Sequence, residues 1–222
     1  MIYRVDIRDC DISDWGDVNV SFGDFMETSR RVRHVLSLIN ADKFLIMGGG
    51  HSISLMIINT FADNVRKCVL LDAHADFYDE YEGNRFSHAC VARRIGEIIG
   101  FDRLTIMGIR SFSKQNIMDL DEFGVKYYTI LELYDDPRIL EKEIENADYV
   151  SIDMDFFDPS IVPEVSCPEP LGYNYRDFLS VIPRIRARYV DVTEVAPKSP
   201  FDISSIVAAS LLREIGIQLS LN

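Results

Sequence analysis

Short blocks of consecutive apolar residues recur along the chain at 44–47, 69–71, 104–107, 125–128, 149–152 and 189–192. They are rich in β-branched and aromatic side chains and are bounded by turn-forming or charged residues, which predicts strands buried on both faces. Between them the apolar positions return at helical spacing in 30–39, 89–99, 139–145, 175–185 and 203–215. Strand and helix in steady alternation predict an α/β fold, a mainly parallel sheet covered by helices on both faces. No fixed-period repeat, linker or composition shift divides the chain, so a single domain over residues 1–222 is expected.

Composition narrows the function more than the fold. Of the 222 residues 47% are hydrophobic, enough for one sizeable core, and 36 acidic against 23 basic side chains leave a net charge of −13. Such a surface repels phosphate backbones and favours cationic ligands, so nucleic acid is not an expected partner. Apolar runs are too short for a bilayer and no secretory leader opens the chain, so no membrane partner and a cytoplasmic location are expected. The four cysteines lie far apart without a C-x-x-C pair, which fits free thiols and excludes a zinc ribbon or dithiol motif.

In a parallel sheet, ligands bind beyond the carboxyl ends of the strands. The residues that follow four of the predicted strands are Gly48-Gly49-Gly50-His51-Ser52, Asp72-Ala73-His74-Ala75-Asp76, Asp153-Met154-Asp155, and Glu194-Val195-Ala196-Pro197. If the segments stay extended, Asp72, His74 and Asp76 share a face, and so do Asp153 and Asp155. Four carboxylates converging on one spot repel one another unless cations neutralise them, and two divalent ions supply the four charges required. Six ligands are too few for two separate complete sites, so some aspartates must bridge, as in two-metal hydrolases. Oxygen and imidazole donors without thiolate favour manganese first among the candidate ions.

These motifs, with Asp158-Pro159 and the tract from Asp79 to Cys90, resemble the ureohydrolases, the arginase and agmatinase family, and look closest to archaeal agmatinases. The resemblance implies the three-layer αβα sandwich of the arginase/deacetylase type. It implies two Mn²⁺ per chain: one held by His51, Asp72, Asp76 and Asp153, the other by Asp72, His74, Asp153 and Asp155. It further implies that His88 shuttles protons, with Asp76 as a second route, and that Glu194 holds the guanidinium group of the substrate. The implied reaction is hydrolysis of a cationic guanidino compound, agmatine to putrescine and urea, by a metal-bridging hydroxide. A homotrimer or homohexamer is the implied assembly.

The alternatives are another two-metal C–N hydrolase acting on a formimino or amide substrate, or a metal-binding oligomer without activity. Three departures stand out: Gly50 where the family commonly has an acid, an altered loop at 163–172, and a short segment before His51. Glu164 in that loop, with the acids of Phe77-Tyr78-Asp79-Glu80-Tyr81-Glu82, is expected to attract the far ammonium of a dicationic substrate.

Overall fold

The computed structural model describes residue 3 and residues 5–199 and 201–222. Six strands pair in parallel throughout: β1 (Phe44–Met47), β2 (Cys68–Leu71), β3 (Leu104–Ile109), β4 (Lys126–Thr129), β5 (Tyr149–Asp153) and β6 (Tyr189–Thr193). Their order across the sheet is β1-β6-β5-β2-β3-β4. The chain therefore builds outward from β2 through β3 and β4, then returns to the other side of β2 with β5. That reversal is the crevice in which such sheets bind ligands.

The residues of β2 show why the sheet needs cover on both faces. Cys68 and Leu70 point one way, Val69 and Leu71 the other, and all four are fully buried. On the first face lie α1 (Phe25–Leu38), α2 (Ser52–Phe61), α3 (Val91–Ile99) and α4 (Lys114–Phe123), packed through Val32, Ile57, Ile95 and Leu120. On the second lie α5 (Ile130–Asp135), α6 (Arg138–Glu145), α7 (Tyr175–Phe178) and α8 (Ile203–Leu221), packed through Leu133, Ile144, Phe178 and Leu211. The result is the expected three-layer αβα sandwich. At 19 residues α8 is long and apolar enough to cross a membrane. Instead it lays Val207, Leu211, Ile215 and Leu219 against the core.

Two expectations about elements are corrected. The helix predicted over 175–185 is interrupted: α7 ends at Phe178 and a separate 3₁₀ turn runs Ile182–Arg184. Pro183 accounts for the break, since it has no N–H to donate to the Leu179 carbonyl one turn earlier and its ring crowds that carbonyl. The helix predicted from Ala89 begins as a 3₁₀ turn, His88–Cys90, and becomes α-helical only at Val91. The sequence pattern did not single out α2, because Ser54 to Ile58 are buried in succession and leave no polar face to mark the period.

Candidate metal centre

β1, β6, β5 and β2 are contiguous in the sheet, and their carboxyl ends deliver His51, Glu194, Asp153 and Asp72 to one place. His51 stands at the N-cap of α2, fully buried. Its Nδ1 lies 3.1 Å from Asp72 Oδ2, 3.1 Å from Asp76 Oδ2 and 3.4 Å from Asp153 Oδ2. His74 faces the same cluster from its other side, with Nδ1 2.9 Å from Asp155 Oδ2 and 3.5 Å from Asp72 Oδ1. Asp72 therefore offers one oxygen to each half. Two groups could each hold an ion, His51 with Asp72 and Asp153, and Asp72 with His74 and Asp155.

The geometry suits coordination better than hydrogen bonding. Ligands 2.0–2.1 Å from an ion and at right angles to one another lie about 3 Å apart, close to the separations around each Nδ1. Asp72 Oδ2 is buried and takes no hydrogen bond, although His51 Nδ1 is beside it. A buried carboxylate oxygen without a donor is costly, and a cation is the partner it lacks. The oxygen and imidazole donors fit a hard or borderline divalent ion.

The carboxylates shift one another as crowded acids do. Burial and the charge of Asp72 push Asp76 up to about 7. Burial and neighbouring carboxylates raise Asp153 and Asp155 as well. Asp72 goes the other way: burial raises it, but the imidazoles of His51 and His74 beside it outweigh that and hold it below the usual carboxylate range. Burial opposes protonation of His74, yet the carboxylates of Asp155 and Asp72 win and push it up to about 11.

The expected extended geometry holds only in part. Ala73 continues the pairing by accepting from the N–H groups of Arg110 and Ser111. At Asp76 the backbone turns left-handed, φ +46, so this side chain reaches His51 through a strained turn rather than by alternation. Asp155 sits in a 3₁₀ turn, Met154–Phe156, whose cap is Asp153 itself, Oδ1 accepting from Asp155 N–H at 2.9 Å. Two non-glycine residues of the site, Asp76 and Glu194 (φ +64), thus carry positive φ. Such conformations cost of order 1–3 kcal/mol each and persist where the surroundings over-determine them.

Glu194 leans across the N-terminus of α2: Oε1 accepts the His51 backbone N–H at 2.6 Å and Oε2 accepts from Ser166 Oγ at 3.3 Å. A carboxylate has about four acceptor sites, so it retains capacity for a cation in front of it. A Cβ at Gly50 would lie 3.4 Å from Glu194 Oε1, so the absent side chain leaves room over this carboxylate. His88 is exposed at the start of the 3₁₀ turn before α3, its ring centroid 6.1 Å from that of Tyr81.

Glu164 is not where the sequence suggested. Its Oε2 accepts from Ser204 Oγ at 2.6 Å, and its backbone N–H donates back to the same hydroxyl at 2.8 Å, so it secures the start of α8. Asp79 is likewise engaged, accepting from Arg94 at 2.8 Å. Phe77 is buried against Phe101 and Phe123 and forms no pocket wall. Glu80, Glu82 and Tyr81 remain exposed.

Four contributors were not assigned from sequence. Behind His51, Nε2 lies 3.1 Å from Ser151 Oγ, which donates to Asp191 Oδ1 at 2.6 Å; Tyr149 OH donates to Asp191 Oδ2. Ser151 and Asp191 are register partners on β5 and β6 and face the α1–α4 layer. Their signal was available: each is the one polar residue inside an otherwise apolar strand block. The fourth is Glu169, whose Oε1 lies 3.8 Å from His74 Nε2 and accepts from Ser111 Oγ at 2.8 Å.

The comparisons agree with this geometry. The Arginase family model matches residues 2–217. The chain is 32% identical to an agmatinase of Pyrococcus horikoshii, over 95% of this chain and 76% of the relative. It is 35% identical to a mitochondrial arginase of Medicago truncatula, covering 97% of this chain but only 64% of that enzyme's length. The agmatine ureohydrolase of Thermoplasma volcanium superposes with a TM-score of 0.84 at 31% identity, over 94% of this chain and 73% of that one.

Proposed function

The chain belongs to the arginase family, and on that premise we propose that it is a dinuclear manganese ureohydrolase cleaving agmatine to putrescine and urea. The observation that carries this is the pair of histidine Nδ1 atoms facing one set of four aspartates, with Asp72 turned to both. His51, Asp72, Asp76 and Asp153 would hold one ion; Asp72, His74, Asp153 and Asp155 the other. When bound, the pair of ions makes water nucleophilic near neutral pH.

Glu194 holds the guanidinium by charge-assisted hydrogen bonds while His51 N–H and Ser166 fix its orientation. The bond to the amine-bearing nitrogen breaks only once that nitrogen is protonated, since an amine leaves far more easily than an amide anion. Asp76 and the exposed His88 are the two proton routes. The sum is guanidinium plus water giving urea and an alkylammonium ion. Agmatine is favoured over arginine because the exposed Glu80 and Glu82, in the segment that follows Asp76, would attract an ammonium and repel a carboxylate. The names of two relatives, the P. horikoshii agmatinase and an N(1)-aminopropylagmatine ureohydrolase of Thermococcus kodakarensis at 32% identity, support an amine-tailed substrate. A cytoplasmic homotrimer or homohexamer completes the proposal.

The test is urea release by the manganese-loaded protein with agmatine, arginine and 4-guanidinobutyrate side by side. We expect kcat/KM for agmatine to exceed that for arginine by at least ~10-fold, about 1.4 kcal/mol. A preference for either carboxylate substrate overturns the agmatine assignment, and no urea from any of them overturns the ureohydrolase one.

A further inference from the structure

The two histidines that face the aspartates turn their second ring nitrogen to different supports. Behind His51, Ser151 relays to the buried Asp191 within the core. Behind His74, among the described residues, stands Glu169, carried by the loop between β5 and α7. That loop is fastened closely. Arg110 donates to the carbonyls of Glu169 at 3.0 Å and Pro170 at 2.9 Å, and also to that of Asp155 at 2.6 Å. The Gly172 N–H donates to Asp158 Oδ2 at 3.0 Å. A Cβ at Gly172 would lie 2.4 Å from the Phe157 carbonyl, so only glycine allows the backbone to approach so closely. Ser111, which continues the pairing of β3 beside His74, donates to Glu169 Oε1 at 2.8 Å.

We propose that Glu169 is a positioning residue for His74, accepting its Nε2–H and thereby presenting Nδ1 to the ion shared with Asp72 and Asp155. The inference rests on the dinuclear reading above. Giving Nδ1 to a metal places the ring proton on Nε2, and a carboxylate facing that proton fixes the tautomer and raises the ligand's basicity. At 3.8 Å the carboxylate is within ion-pair range, and the proposed hydrogen bond requires the two side chains to close by several tenths of an ångström. Ser111 holds the same oxygen in place. The loop bordering Glu194 through Ser166 thus also tunes one of the two metal positions.

The test is titration of the metal-free protein with Mn²⁺, reading free ion by its paramagnetic resonance signal. In Glu169→Ala we expect one of two ions to weaken by ~10–100-fold, the usual consequence of losing such a partner, and the other to stay unchanged. Thermal unfolding of the metal-free variant should match the parent, because the side chain is one-third exposed. Glu169→Gln keeps an acceptor oxygen and should recover part of the affinity. Ser111→Ala should weaken the same ion to a lesser degree. Unchanged affinity for both ions in Glu169→Ala overturns the inference. So does equal weakening of both together with a less stable metal-free protein, and so does a Gln variant as weak as the Ala one. A parent chain that never binds a second ion overturns the dinuclear reading itself, whatever Glu169 does.

Discussion

One half of the candidate metal centre is backed by the core and the other by a loop. His51 is fully buried, its Nε2 backed by Ser151 and Asp191 on two paired strands and by the Tyr149 hydroxyl on Asp191. The His74 side chain is one-quarter exposed, and its support, Glu169, is one-third exposed on a loop that depends on Arg110, Ser111 and Asp158. The difference teaches where each perturbation should be felt. Damage behind His51 must travel through the hydrophobic layer and cost folding stability, whereas damage behind His74 can be absorbed locally and appear in metal binding alone.

Asp72 is the exception to this division, because one of its oxygens faces each histidine. Asp72→Ala should therefore abolish the distinction: neither ion keeps its full set of ligands, and urea release should fall by at least ~10³-fold. Metal analysis together with a urea assay checks it. A variant that retains two ions would show that the halves do not share this carboxylate.

Asp191→Ala sharpens the comparison from the buried side. It strands the Tyr149 and Ser151 hydroxyls in the core, and the loss of two hydrogen bonds to a buried carboxyl should destabilise the metal-free fold by roughly 3 kcal/mol. Denaturant midpoints for Asp191→Ala and Glu169→Ala should then separate clearly. Equal midpoints would erase the contrast between core support and loop support.

The residues foretold the sheet and the cluster at its end, but not the supports behind the two histidines. The six strand blocks were legible because a strand covered on both faces leaves an uninterrupted apolar run, as in Cys68 to Leu71. The converging acids and imidazoles were legible because such residues directly after these blocks have no packing reason to be there. What escaped depends on partners distant in sequence. Glu164 pairs with Ser204 forty residues on, so the sequence offers its charge but not its direction. Glu169 acquires its place from Arg110 and Ser111, which arrive from another strand. Asp76 looked like a simple continuation of the Asp72 and His74 alternation, and only the backbone turn at φ +46 shows how it reaches His51. The break at Pro183 was visible and should have outweighed the apolar spacing around it.

The smallest expected effect is a pH dependence, and its sign follows from the acids that both halves share. Burial and the charge of Asp72 push Asp76 from the ordinary carboxylate range up to about 7, so in the metal-free chain the folded state holds this proton more tightly than the unfolded state does. Between the unfolded value near 4 and about 7 the unfolded chain therefore binds fewer protons, and stability of the metal-free fold falls as pH rises. The raised Asp153 and Asp155 act in the same direction. So does His74, at about 11, whose bound proton stabilises the fold below the unfolded histidine value and is lost as pH climbs through the folded one. Asp72 alone, held low, has the opposite sign. Metal ions require these groups deprotonated, so Mn²⁺ replaces protons and its benefit grows as they leave. The rise in melting temperature produced by a fixed Mn²⁺ concentration should be larger at pH 8 than at pH 6, because at the lower pH the ion must first displace the Asp76 proton. Scanning melts at the two pH values with and without the ion checks it; a smaller shift at the higher pH would mean that the cluster is already ionised without metal and that protons do not hold it together.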